Sequence, residues 1–425
     1  MGLVGGWVVD MAGVARAKYV PTTRTEAFQV HGMGASPSWS VFCVDGSIAF
    51  TPELNVVGDL RIRIDPDDLR TVADGVAIAP GDLYLQDGTP SPMCARSVLK
   101  RTVDEAGAAG LRARVGAELE CTLLRTDGER ATGRGWTPYG LGSSLARSAL
   151  LVDLAESAER AGLGVEQLHT EYGRDQREVS LSPADPVAAA DAVVLGRAVI
   201  GRVAERHGLG VSFSPVPFAG DAGNGAHLHL SVETANGPVF SGGSGAHELT
   251  DDGASAIAGV LSTLPELIGV YAGSAVSARR LVPGNWAGAA LCWGLENREA
   301  AVRLVAAGPA SAHGANIELK VVDPSANPYL ATAALLGSVR RGIELGLAPV
   351  APVDVDPARS GQDLAVLPTH QAAALDALAG SEVARELLGT PVVEGLLAVR
   401  RHEVTAFAGL PLAESAEALR LAWSW

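Results

Sequence analysis

The stretch VGAELECTLL, residues 115–124, decides how the rest of this chain is read. Side chains two apart on a strand point to the same face, so Glu118 and Glu120 stand side by side. Their neighbours Ala117, Leu119 and Cys121 are apolar, which places the strand inside the protein. Buried carboxylates without partners are costly, and two together call for a cation. Three further segments carry the same kind of signal. In AHLHLS, His227, His229 and Ser231 share a face; in NIELKV, Asn316, Glu318 and Lys320 do. HTEYGRDQREVSL supplies Glu171 and Glu178 around a glycine-containing turn. Mostly oxygen donors with one imidazole suit Mg²⁺ or Mn²⁺, whereas Zn²⁺ would want more His or Cys.

Outward from this strand the patterning divides in two. Residues 1–95 read as short strands with turns (GWVVD, ARAKYV, SWSVFCV, DLRIRI, DLYLQ), a small β-rich domain. From 96 to 425, amphipathic helices alternate with strands. Residues 145–162, 186–208 and 251–273 have helical spacing, 324–339 read as a buried helix with its loop, and 371–408 read as a last helical segment. WGLENREAAVRLV and NIELKVVD read as strands. Strands and helices in runs predict an α+β fold rather than a doubly wound parallel sheet.

Composition narrows the function. The net charge of −15, with no basic stripe, disfavours nucleic acid and anionic membranes as partners. Cys43, Cys94, Cys121 and Cys292 are isolated, with no CxxC, as expected of inert thiols in a reducing compartment. The first residues lack the basic region of a signal peptide and no stretch reads as a membrane span, so the expected location is cytoplasmic. Arg279, Arg280, Arg298 and Arg303 add guanidinium groups of the kind phosphoryl transfer needs. There is no Walker A motif, so any ATP binds outside the P-loop scheme.

The ordered set DGS, AELE, HTEYGRDQRE, GNGAHLHLS, RRLVPG, ENREAAVR and IELKVVDPSANPYL resembles the successive signatures of the glutamine synthetase family. The resemblance implies a β-grasp N-terminal domain (1–95) and a catalytic domain (96–425) whose curved, mostly antiparallel sheet is backed by helices. It implies that Glu120, Glu171 and Glu178 hold one metal and that Glu118, His227 and Glu318 hold a second, two Mg²⁺ (or Mn²⁺) per site with ATP as cosubstrate. Glu166, Ser231 and Arg303 fall at nucleotide-contacting positions. Arg298 falls where the transferred phosphoryl group is stabilised, and Arg280, Gly223 and Lys320 at the glutamate site. The resemblance also implies a dodecamer of two hexameric rings, in which Asp45 of an adjacent subunit would face the amine site.

Departures from the family pattern bear on the amine. The flap glutamate that receives a proton from ammonium is Trp286 here, and a neutral indole is no base. Trp286 suits a roomier pocket for an organic amine, by cation–π contact. Around the amino-acid substrate, Ala222 replaces an asparagine, and Lys320 and Asn316 each replace an arginine; lysine does not replace bidentate recognition. Ala365 stands where some bacterial members carry an adenylylated tyrosine. The expectation is a γ-glutamyl ligase using glutamate, ATP and a mono- or polyamine. The alternatives are an authentic glutamine synthetase, a ligase acting on a glutamate analogue, and a catalytically silent member with an assembly or regulatory role.

Overall fold

The structure, a computed structural model, describes residues 2–132, 136–309, 313–368 and 370–424. Its first part contains β1 (Leu3–Val9), β2 (Ala15–Pro21), α1 (Thr25–Val30), β3 (Met33–Ala35), β4 (Leu60–Ile64), β5 (Arg70–Ala73) and β6 (Val76–Tyr84). These strands form one sheet in the order β2-β1-β6-β4-β3, with β5 also on β6. β1 runs antiparallel to β2 and parallel to β6, and α1 lays the fully buried Phe28 on the sheet, a β-grasp arrangement. SWSVFCV is not a strand. Pro37 opens a short 3₁₀ turn there, and Ser36 Oγ accepts from the Ser38 amide, an Asx-like local bond that outcompetes extended pairing.

The second part runs α2 (Ala95–Ala108), β7 (Arg112–Arg125), α3 (Leu141–Leu145), α4 (Ser148–Arg160), β8 (Val165–Thr170), β9 (Gln176–Ala184), α5 (Pro186–Arg206), β10 (Leu209–Ser212), β11 (Leu228–Thr234) and β12 (Gly237–Pro238). It continues through α6 (Asp251–Tyr271), β13 (Ala290–Leu295), β14 (Ala300–Val305), β15 (Asn316–Leu319) and α7 (Pro328–Glu344) to α8 (Gln371–Gly380), α9 (Glu382–Leu388), α10 (Thr390–Ala406) and α11 (Leu412–Leu419). The large curved sheet has the order β13-β14-β15-β11-β7-β9-β8, with β10 on β7 and β12 on β11. Its pairings are antiparallel except β13 with β14. The expected α+β fold is therefore present.

Two stretches are broken more finely than their periodicity predicts. Residues 371–408 hold three helices: Ser381 caps α9 through its Oγ, Gly389 adopts φ +91° at its end, and Pro391 starts α10. β15 stops at Leu319, before the turn in which Asp323 accepts from the Ser325 amide.

The helices close against one another and against β1. At Gly259 of α6 an added Cβ would sit 2.4 Å from the Ser338 carbonyl and 2.7 Å from Gly342 Cα of α7, so the two backbones touch where neither has a side chain. By length and composition α6 could cross a membrane, but it is a core helix, 78% buried over its apolar window. The caps of α7 tie the two parts together. Asn327 Oδ1 accepts from the Tyr329 and Leu330 amides, while its Nδ2 donates to the Val9 and Asp10 carbonyls. Trp7 Nε1 donates to Tyr329 Oη, and Trp423 Nε1 to the Ala12 carbonyl. β1 thus serves two cores: Val4 and Val8 join Phe28 and Ile62, and Trp7 and Val9 join the helical core.

The loop carrying Asp45 hangs on the last helices. Glu403 Oε1 accepts from the Val44 amide at 2.8 Å, and Glu403 is paired with Arg400 at 2.9 Å, both fully buried.

Candidate active site

The site is assembled by strand register. β7 is the long central strand; α5 covers its apolar face so closely that an added Cβ on Gly196 would lie 2.8 Å from Leu119 Cδ1. Alternation then turns Glu118 and Glu120 to the opposite face. Cross-strand pairing sets two rows on that face. Glu120 stands opposite Glu178 of β9, which stands opposite His169 of β8. Glu318 of β15 stands between His229 of β11 and Arg303 of β14. His227 lies one residue before β11, and its carbonyl accepts from the Glu118 amide at 3.0 Å, which carries the row onto β7.

Two groups of side chains converge tightly enough to share a cation each: Glu118, His227 and Glu318, and His169, Glu171 and Glu178, with ligand atoms within 4.8 Å of one another. In the first, His227 Nδ1 lies 2.7 Å from Glu118 Oε2 and 3.4 Å from Glu318 Oε1. Arg280 Nη2 donates to His227 Nε2 at 3.0 Å, so the geometry leaves Nδ1 to face the carboxylates. Burial works to raise the Glu118 pKa, but hydrogen bonds from His227 and His229 draw it well below the carboxylate range. Burial likewise opposes ionisation of Glu318, yet the neighbouring Lys320 ammonium and the histidines hold it down at about 2. Lys320 Nζ sits 2.6 Å from Glu318 Oε1 and is buried, so its charge is directed at this carboxylate. Arg303 Nη1 lies 3.2 Å from Glu318 Oε2, and its other nitrogens bond Glu296.

In the second group His169 bridges Glu171, at 3.1 Å, and Glu178, at 3.2 Å. Tyr139 Oη donates to Glu171 Oε2 at 2.7 Å. Burial raises the Glu171 pKa, and the hydrogen bonds from His169 and Tyr139 more than reverse it. Glu120 completes this side. Gln176 Nε2, at 2.7 Å, and the Gly225 amide, at 2.9 Å, both donate to its Oε2. Burial raises its pKa, His227 and Arg280 pull against that, and Glu178 adds to it. Glu120 and Glu171, whose pKa values are pushed in opposite directions, stand with Glu178 and His169 as a donor set that a hard divalent cation relieves, and oxygen donors with one or two imidazoles fit Mg²⁺ or Mn²⁺.

The other expected residues fall into place unevenly. Glu166 and Ser231 line one cavity of about 180 Å³ together with Glu118, His229, His313 and Asn316, next to the first group. Gly223 abuts Arg280, and its carbonyl accepts from Gln176. Arg280 is buried, donating to the Lys320 and Val321 carbonyls. Arg298 is exposed in the β13–β14 turn and, among the described residues, makes no hydrogen bond or ion pair. Asp45 contacts Ser47, whose hydroxyl lies 3.0 Å from His402, and is not brought to the metal groups of its own chain.

Trp286 lies at the mouth. Its indole meets the Tyr172 ring edge-on, centroids 5.1 Å apart, and Tyr172 follows Glu171 directly. Glu299 Oε1 accepts from the Trp286 amide at 2.8 Å and Oε2 from the Gly284 amide at 3.1 Å, clamping this loop with Trp286 at φ +52°. His169, Tyr139, Gln176 and Glu299 carry no role in the sequence reading. His169 was within reach of it, two residues before Glu171 on a strand; Tyr139 and Glu299 come from loops, where no period exists to place them.

Comparison with known proteins bears on the whole chain. Residues 92–415 match the family model described as glutamine synthetase, catalytic domain. The chain is 39% identical, over 95% of its length and 89% of the relative's, to the gamma-glutamylpolyamine synthetase of Streptomyces coelicolor. It is 31% identical to the glutamine synthetase of Pyrococcus abyssi, over 90% of this chain and 85% of that one. A crystal structure described as a novel glutamine synthase homolog superposes with a TM-score of 0.89 at 32% identity, covering 100% of this chain and 98% of its own.

Proposed function

The chain belongs to the glutamine synthetase family and is a carboxylate–amine ligase, and from that premise we propose that it joins the γ-carboxylate of glutamate to an organic amine, a mono- or polyamine. The observation that carries this reading is Trp286, edge-on to Tyr172 at the mouth of the acidic cluster, in the position of the flap glutamate. An indole and a phenol ring beside carboxylates favour a cationic, partly apolar amine over ammonium. The name of the Streptomyces coelicolor relative points the same way.

Glu118, His227 and Glu318 would hold one cation and Glu120, Glu171 and Glu178, with His169 beside them, a second. When bound, these ions supply charge neutralisation to the phosphates and the γ-carboxylate. In the proposed sequence a γ-carboxylate oxygen attacks the terminal phosphorus of ATP and ADP leaves. The amine nitrogen then attacks the acyl carbon, phosphate departs and the nitrogen loses a proton. Arg298, exposed and without a partner among the described residues, is the guanidinium assigned to the transferred phosphoryl group. Glu166, Ser231 and Arg303 are assigned to the nucleotide, and Arg280 and Gly223, packed on Glu120 and Gln176, to glutamate. Lys320 is assigned to the glutamate side through its grip on Glu318. Assembly into two hexameric rings, with Asp45 facing the amine site of a neighbouring subunit, is supported by the exposed Asp45 loop, which contacts no metal group of its own chain.

Phosphate release measured with glutamate, ATP and a panel of amines beside ammonium tests the reading. Higher kcat/KM for an organic amine is expected; ammonium outperforming every amine would sink it. One observation favours authentic glutamine synthetase instead: Glu299 brings a carboxylate to the Trp286 loop, where it could act as the missing base. Under that reading Glu299→Gln abolishes ammonium turnover selectively.

A further inference from the structure

Away from the acidic cluster, where α5 meets the first sheet and the end of the chain, lies a partly enclosed cavity of about 180 Å³. Its walls include Trp7, Tyr19, Val194, Pro328 and Trp423, and Arg197 of α5 is its only charged lining residue. Both indole N–H groups are already committed, to Tyr329 and to the Ala12 carbonyl, so the rings offer the cavity only apolar surface.

Arg197 has no hydrogen bond and no ion pair among the described residues, and its Nε is shut off from solvent without an acceptor. The Phe213 ring lies 5.6 Å from the guanidinium carbon and offers it a cation–π contact. Burial depresses its pKa to about 10, with Asp323 acting only at a distance in the other direction. Asp323 itself is engaged by Ser325. Arg197 is half-buried, and a guanidinium whose Nε has neither water nor an acceptor is costly; unlike a carboxyl or lysine it cannot escape by losing its charge, so its terminal nitrogens are left to whatever enters the cavity. The more deeply buried arginines each have acceptors: Arg96 has Asp191 and Asp82, Arg400 has Glu403, and Arg177 and Arg280 donate to backbone carbonyls.

We propose that this cavity is a binding site, separate from the ligase centre, for a small organic anion with an apolar body. The carboxylate would take the open face of the Arg197 guanidinium, and the body would lie between Trp7 and Trp423. An apolar cavity of roughly 150 Å³ accepts benzene, so the volume here suits an aryl or branched-alkyl monocarboxylate of benzoate size.

The test uses the full-length protein and thermal unfolding with benzoate, the neutral isostere benzamide, and acetate. Benzoate at roughly 10 mM is expected to raise Tm by at least about 1 °C and to saturate, with benzamide and acetate giving less. Arg197→Met should abolish the benzoate shift. Ala198→Leu, which narrows the cavity and keeps the charge, should abolish it too, so the test survives if either variant fails to fold. No shift in the parent protein, equal shifts from benzoate and benzamide, or a full benzoate shift in a folded variant overturns the proposal.

Discussion

At the scale of single residues, the site is a set of charges whose balance an added cation or proton changes. Hydrogen bonds to Glu171 and Glu178, against a smaller desolvation, hold His169 at a pKa of about 10. Burial alone would lower His229, but its bond to Glu118 and the charge of Glu318 lift it to about 9. Both lie above the ordinary 6.5. The stability their charge gives the metal-free fold is therefore complete below about pH 6.5 and is lost as pH rises through 9 to 10. Cations compete with these protons. Calorimetry at pH 7.5 in buffers of different ionisation heat should show proton release on Mg²⁺ binding, and affinity should rise with pH up to about 10; buffer-independent heats would mean the histidines are already neutral. Trp286 makes a second prediction. Trp286→Glu should cost the organic amine about fivefold to thirtyfold in kcat/KM, the scale of a cation–π contact of roughly 1–2 kcal/mol, while ammonium turnover rises. Steady-state kinetics with both amines checks it.

At the scale of elements, close helix contact and a shared cap do most of the positioning. Gly259→Ala should drive its methyl into the Ser338 carbonyl and lower stability by about 1–3 kcal/mol, read as a shifted denaturant midpoint. Much of this layer was legible in the sequence. The strand of Glu118 and Glu120, the histidine strand and helices α5 to α7 followed from period and from a glycine or proline at their ends. What was not legible depends on contacts that period does not encode. The 3₁₀ turn at Pro37 arises from one serine hydroxyl, and the split of 371–408 from Ser381 and Gly389. The Glu299 clamp joins a turn to a loop thirteen residues away, and only the folded backbone brings its carboxylate to the Trp286 amide.

At the scale of the whole molecule, the proposed assembly makes a prediction no single chain could. If Asp45 serves a neighbour's site, Asp45→Asn and Glu318→Gln chains, each inactive alone, should regain activity when co-assembled. Random mixing leaves about one site in four with both residues intact, so roughly a quarter of parental turnover is expected. Mixed rings that stay inactive would place Asp45 outside the site. The ties between the first strand and the end of the chain have a further consequence, in time rather than space. Trp7 waits for Tyr329, 322 residues later, and the Ala12 carbonyl for Trp423, 411 residues later. At roughly 5–20 residues per second, the outer face of β1 leaves the ribosome about 20–80 seconds before its cover is made. The Phe28 core draws its buried members from the first 94 residues alone, Cys94 being the last, which lets the small sheet close early. The Trp7 and Val9 face cannot, and it is the surface a nascent chain must keep from its neighbours until synthesis ends.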